Sequence, residues 1–214
     1  RGVPAEPAAT VSAWWRAHRA ATAGLAPFER AILGGARADR LGWAFASGYE
    51  AALVVLVPDR DPARSAALCA TELTGVHPAR ITTTIDAGGG LSGQKTFVTL
   101  GAEVDDLLVL ARRGTRDDGV ADLVMAQIPR DAPGVTLTPL GTTPFVPEIP
   151  HASVAFVDAL ARRVLPGDGW TDYVRPFRTV EDLHVHAAFL GFLVSRGIAW
   201  GFPRSALERA IAAI

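Results

Sequence analysis

The chain has 214 residues, 49% of them hydrophobic, and its 21 basic and 22 acidic side chains leave a formal net charge of -1. That is long enough to bury a full core, with no excess charge to draw it to nucleic acid and no signal-peptide pattern or apolar run of about 18 residues to enter a membrane. Cys69 is the single cysteine, which excludes an intrachain disulfide and a thiolate metal cluster within one chain and favours a reducing, cytoplasmic setting.

Helical patterns come first. Thr10 to Ala23 carries the Trp14/Trp15 pair, Pro27 to Leu33 is short, and Asp39 to Val57 is long and apolar, with Leu41, Phe45, Tyr49, Leu53 and Leu56 at helical spacing. These residues read as core, and the tryptophan pair as structural or as a hydrophobic subunit contact. Asp59 to Arg64, flanked and interrupted by Pro58 and Pro62, marks a boundary. From Ala66 to about Pro166 the period changes. Runs rich in Thr, Val and Ile are separated by Gly88 to Gly90, by Gly114 to Gly119 and by Pro133-Gly134, the spacing of a β-barrel or sandwich. After Gly167-Asp168-Gly169-Trp170 the pattern returns to helix from about Thr171 to Ala199, and Pro203 breaks it before a last helix. The expected fold class is α+β in three segments: N-terminal helices over 1–65, a central β-domain over 66–166 and the start of a C-terminal helical bundle over 167–214. The chain opens on Arg1 and stops inside an alanine-rich helical pattern, so we expect part of a longer protein. Lys95 is its sole lysine, and the scattered arginines fit GC-rich bacterial coding better than a nucleic-acid surface.

Leu91 to Arg112, LSGQKTFVTLGAEVDDLLVLAR, is the most telling stretch. Strand alternation puts Lys95, Phe97 and Thr99 on one face, and a turn with Glu103, Asp105 and Asp106 leads to the apolar run Leu107 to Ala111, a hairpin-like unit. One reading is an edge strand whose Lys95 meets an acid of the turn. The other is a face that holds a planar ligand.

This stretch resembles the acyl-CoA dehydrogenase pattern NGxKxWITNGxxADxxLVxAR of the central β-domain. ALCATELTGVHPARITTTI (Ala67 to Ile85) is similar to that family's TEPxAGSDxxxxxT segment, and PGVTLTPLG, HASVAFVDALARRVLPGDGW and HAAFLGFLVSRGIAW follow in the family's order. The resemblance covers the chain from about Gly34 to its end. It implies FAD as cofactor, an acyl-CoA or similar thioester as substrate, α,β-dehydrogenation in fatty acid metabolism, and a homodimer or homotetramer. Within it, Thr71 and Glu72 match a Thr-Glu pair whose threonine contacts the flavin. Phe97 takes the place of a tryptophan beside the flavin, and Thr99 matches a hydroxyl two residues on. Glu181 falls in the register of the catalytic base that one branch carries early in its first long C-terminal helix, although Asp182 follows where the family has arginine. A plain acidic helix start is the alternative for Glu181.

Other positions depart from the pattern. Val76 stands where a serine is expected, with His77 beside it, and Gly201-Phe202-Pro203 keeps only the aromatic of an arginine-phenylalanine-glycine motif. Arg196 and Arg204 are loose candidates for a pyrophosphate contact. His151, His184 and His186 have no metal-ligand spacing, so no metal is expected. Three functions therefore stay open: an FAD-dependent acyl-CoA dehydrogenase, a diverged non-catalytic paralogue acting as subunit or acyl-CoA binder, and a flavin-dependent hydroxylase on the same fold.

Overall fold

The computed structural model describes residues 7–214; Arg1, where the chain opens, and the rest of the first six residues of the 1–65 segment lie outside them. Among the described residues the chain forms five α-helices and an eight-stranded mixed sheet, an α+β architecture. Two compact units result. One comprises the chain up to Arg60 with Thr143–Ile149 and Arg178–Ile214; the other comprises Asp61–Thr142 and Pro150–Phe177.

The helical unit is built from local signals that the sequence carries openly. Helix α1 (Val11–Thr22) starts where the Thr10 hydroxyl accepts the Ala13 N–H at 3.1 Å, and α2 (Pro27–Arg37) starts on a proline with Glu29 accepting the Ala26 N–H at 3.0 Å. Helix α3 (Leu41–Leu56) has a non-local cap: the Glu148 carboxylate accepts the Gly42 N–H at 2.6 Å. It is buried almost continuously from Gly42 to Leu53, as a helix apolar all round must be. Trp14 stacks on Trp43 at 5.5 Å and on His18 at 5.0 Å, so this tryptophan belongs to the core. Burial, and then the charge of Arg30, push the His18 imidazole down to about 4, which keeps it neutral in the core at ordinary pH.

Helix α4 (Arg175–Ala199) is followed by α5 (Arg204–Ala212). Within the helical unit α4 seats on α2 and α3 through residues with little or no side chain. A Cβ on Gly35 would collide with the backbone of Ala188, one on Gly48 with the backbone of Val185, and one on Gly191 with the carbonyl of Ile32. Backbones can approach this closely only because these glycines present no side chain. No helix among the described residues is long and apolar enough to cross a membrane.

The second unit holds the sheet, in the order β6-β7-β3-β2-β4-β5-β8, with β1 added parallel to β4. The strands are β1 (Ala66–Cys69), β2 (Thr84–Ile85), β3 (Gly90–Thr99), β4 (Asp106–Thr115), β5 (Ala121–Pro129), β6 (Val135–Pro139), β7 (His151–Leu160) and β8 (Arg163–Val164). Asp106 to Ala111 of β4 and Leu123 to Ile128 of β5 are buried without interruption, the mark of strands covered on both faces. A six-residue π-helical turn, Gly169–Val174, leads into α4, with Asp168 accepting the N–H groups of Trp170 and Thr171.

The hairpin expected from Leu91 to Arg112 does not form. Strands β3 and β4 are consecutive but not paired: β2 lies between them, antiparallel to β3 and parallel to β4, while β3 takes β7 as its long partner and β4 takes β5. The connection is pulled apart by non-local bonds. Leu100 N–H donates to the Pro150 carbonyl at 2.8 Å, and the N–H groups of Asp105 and Asp106 both donate to Ser65.

The glycine seat yields a direct test. Gly48→Ala is expected to destabilise the chain by about 1–3 kcal/mol, because the added methyl meets backbone that cannot rotate away. Urea unfolding compared with Gly24→Ala, whose Cβ would meet nothing within 4 Å, checks it, provided the strain at the +77° φ of Gly24 is read as the baseline.

Candidate functional site

The side chains that the sequence singles out in the sheet unit gather where β1 leaves the sheet beside the middle of β3. After Cys69 the chain turns tightly, with Glu72 and Gly75 exchanging backbone hydrogen bonds at 3.1 and 2.9 Å, and this lifts Leu73 to 91% exposure. The Thr71 carbonyl, just before that turn, accepts the Thr96 N–H at 2.8 Å. Thr71 is thus clipped to β3 one residue before Phe97.

Beneath lies a buried ion pair. Lys95 Nζ donates to Glu72 Oε1 at 2.7 Å and to the Ala70 carbonyl at 3.4 Å. The other carboxylate positions are filled by the Thr82 N–H at 2.9 Å, the Thr82 hydroxyl at 2.6 Å and the Thr83 N–H at 3.0 Å. Burial pushes the Glu72 carboxyl up, but these donors, Lys95 first, outweigh it and leave the group at about 2. The ammonium is pulled below its ordinary range by burial, against the attraction of Glu72. Cys69, fully buried next to this pair, has its thiol pushed up to about 12 by burial and is chemically inert.

The structure corrects the expected partner of Lys95 and the face it was assigned to. Lys95 does not meet an acid of the 101–106 turn: Asp106 binds Arg64 and Gln127, and Asp105 binds Ser65. Nor does it share a face with Phe97. Lys95 is opposite Val154 and Val98 is opposite Ala152, so two residues of β3, Thr96 and Phe97, face one of β7, Ser153. This β-bulge breaks the alternation, leaving Lys95 and Val98 buried and Phe97 68% exposed. Phe97 sits in the left-handed region with φ +52°, and Leu100 at +59°. For non-glycine residues such a conformation costs about 1–2 kcal/mol each. Thr99 is half-buried and lies opposite His151, the first residue of β7. Thr71, Phe97 and Thr99 therefore lie on neighbouring segments of one unit, an exposed ring on β3 with half-buried Thr71 and Thr99 close by in the chain and the exposed Leu73 following Thr71.

Glu181 belongs to the helical unit, on α4, one turn before the Val185 that packs on Gly48. It is half-buried, and among the described residues its carboxylate has no hydrogen-bond or ion-pair partner. Burial, and then the adjacent charge of Asp182, push its carboxyl up to about 7. A carboxyl so placed takes up and releases a proton near neutrality, as a general base must.

Several of the remaining candidates are engaged within their own segments. His77 accepts the Ala79 N–H at 3.3 Å and caps the 3₁₀ turn Pro78–Arg80, while Val76 is exposed with no polar atom to offer. The imidazoles of His184 and His186 each bond the carbonyl four residues back on α4, at 2.7 and 2.6 Å. Arg204 pairs with Glu208 at 2.7 Å, and Arg196 carries a buried Nε without a hydrogen-bond partner among the described residues. Among the described residues no group of three or more His, Cys, Asp or Glu side chains could hold a metal ion.

No family profile matches the sequence, and no curated protein matches it. Solved structures do match in fold. PigA in complex with FAD and proline superimposes with a TM-score of 0.66 at 15% identity, over 94% of this chain and 65% of that one. The prolyl acyl carrier protein oxidase AnaB gives 0.64 at 16%, over 88% and 60%. Butyryl-CoA dehydrogenase from Megasphaera elsdenii gives 0.63 at 16%, over 79% and 48%. The fold is that of the acyl-CoA dehydrogenase-like flavoproteins, and the chain spans between about half and two-thirds of the length of these structures.

Glu181 makes a signed prediction about stability. A carboxyl raised from 4.5 to about 7 binds its proton more tightly in the folded state, so its contribution is fully present below pH 4.5 and is lost as the pH rises through 7. Glu181→Gln should therefore match the parent at pH 4.5 and be more stable at pH 8, by on the order of 1–3 kcal/mol. Urea midpoints of the two proteins at both pH values measure the difference.

Proposed function

We propose that this chain carries the flavin-binding β-domain and the base-bearing helix of an FAD-dependent oxidoreductase that dehydrogenates an acyl thioester between its α and β carbons. The observation that carries the reading is Phe97: an exposed aromatic ring on a strained, left-handed residue, with the neighbouring residue Thr96 bonded to Thr71, Thr99 two residues on, and a buried ion pair at Lys95 beneath. Folding alone gains nothing from that arrangement, whereas a planar, partly polar ring system would be met by an aromatic contact and two hydroxyls. These residues fit a flavin, and Thr71, Phe97 and Thr99 would hold it.

A bound flavin supplies the acceptor for a hydride leaving the β carbon. Glu181 takes the α proton on a carboxylate oxygen. Its position near pH 7 leaves a usable share ionised to accept that proton and enough basicity to hold it. Asp182 contributes by repulsion, keeping the neighbouring carboxyl basic where an arginine would depress it. The thioester reading follows the chemistry named for two fold neighbours, one a butyryl-CoA dehydrogenase and one an acyl carrier protein oxidase. Assembly into a homodimer or homotetramer would cover apolar side chains that the C-terminal helices leave exposed, among them Leu183, Trp200 and Ile211. A non-catalytic acyl-thioester binder is the second reading, favoured by the exposed Val76, which offers no hydroxyl where the resemblance places a serine.

Absorption spectroscopy separates them. The purified chain, supplied with FAD, is expected to show a bound-flavin band that an acyl-CoA bleaches under anaerobic conditions, and Glu181→Gln should keep the band and lose the bleaching. A colourless protein that takes up no FAD overturns the flavin reading, and a Glu181→Gln variant that bleaches at the parent rate moves the base elsewhere. Phe97→Gly probes the surface itself: glycine accepts φ +52°, so the variant should be no less stable than the parent yet bind FAD about tenfold more weakly. Thermal midpoints and flavin titrations, side by side, test this.

A further inference from the structure

We infer that Lys95 and Glu72 form a positioning device for the flavin-facing surface, one that aligns Thr71 with Phe97 and touches no ligand itself; the inference rests on the flavin reading above. Lys95 Nζ holds Ala70 through its carbonyl and Glu72 through its carboxylate, the two residues that bracket Thr71. Thr71 itself is fixed by its carbonyl to the Thr96 N–H, the residue between Lys95 and Phe97. One side chain therefore sets both ends of the segment carrying Thr71 and also forms the base of the bulge that turns Phe97 outward. The Glu72 end is locked in turn by Thr82 and Thr83, so the carboxylate cannot swing without giving up three further donors.

The choice of lysine supports a role beyond filling space. The chain uses arginine at every other basic position, yet Lys95 is the one place where it does not. A guanidinium would bring five donors into a pocket offering one carboxylate and one carbonyl, whereas the compact ammonium meets both acceptors from one point. The side chain is fully buried, so neither charge is available to solvent or ligand. A pair serving only stability could be exchanged for an apolar pair of like volume without consequence elsewhere. A positioning pair could not.

The test is the double variant Lys95→Met with Glu72→Gln, which removes both charges together and keeps side-chain lengths, measured as the full chain by urea midpoint and by FAD titration followed through flavin fluorescence. We expect the double variant to fold with a midpoint lowered by the one donor that the new amide nitrogen at position 72 cannot satisfy, and to bind FAD at least about tenfold more weakly, since removing groups that orient a site costs affinity on that scale. A folded double variant with the parent's FAD affinity overturns the positioning role while leaving the flavin reading intact. A parent that binds no FAD overturns both. Should the double variant fail to fold, Thr82→Val takes its place: it deletes only the hydroxyl donor to Glu72, and it should leave the chain folded with a lowered midpoint and weaken FAD binding about two- to fivefold. Unchanged affinity there likewise overturns the inference.

Discussion

The sheet unit depends on one buried contact, the ion pair between Lys95 on β3 and Glu72 in the turn after β1. Taking two charges out of water costs several kcal/mol per ion, which their mutual attraction offsets only if the remaining hydrogen-bonding capacity is met. Here it is met from three directions. Ala70 is held by the ammonium, and Thr82 and Thr83 by the carboxylate, so three chain segments, 70–72, 82–83 and β3, are tied to one point. Breaking either half leaves a charge stranded in a protein interior, which makes the geometry close to all-or-none. That rigidity is inherited by the backbone just above, where Thr71 and Thr96 are bonded and Phe97 is turned out.

The helical unit reaches definition by a different route. It also contains a buried pair, Glu50 with Arg60, but the position of α4 is set by glycines at which backbones meet without side chains between them. Gly35, Gly48 and Gly191 constrain distance and, through it, the rotation of α4 about its axis. Rotation decides which residues a helix buries. Val185 falls on the Gly48 seat, and Glu181, one turn earlier on that side, is drawn into partial burial with no partner among the described residues to neutralise it. Its raised proton affinity is thus a consequence of where the glycines put the helix, with Asp182 adding to it.

What could be read from the sequence follows the range of the interaction involved. Helices α1 and α2 announce themselves by Thr10, Pro27 and Glu29, all within four residues of the bonds they make. The apolar run of β4 was equally legible, because burial on both faces needs no partner to be named. Failures cluster where a partner is distant. Glu72 is 23 positions from Lys95, and nearer acids stood ready in the 101–106 turn. The bulge at Phe97 has no glycine at its left-handed position to signal it, so strict alternation put Lys95 and Phe97 together when the structure sets them apart. One clue was available: a lone lysine in a chain that otherwise uses arginine marks a place where a guanidinium does not fit.

Phe97 and Glu181 share a property that neither the helices nor the strands around them have. Each is held in a state that folding disfavours: an exposed ring on left-handed backbone in one case, a half-buried acid with its proton affinity raised by burial in the other. Strain of a few kcal/mol is a sizeable part of a domain's net stability and persists only where surrounding structure imposes it. In the sheet unit the imposing structure is the Lys95 pair, and in the helical unit it is the glycine seat of α4. Both are expensive to change by single substitution, the first because a charge is left bare and the second because backbone blocks any added atom. Residues kept in unfavourable states by elements that resist change are better explained by what they do to a ligand than by what they add to the fold.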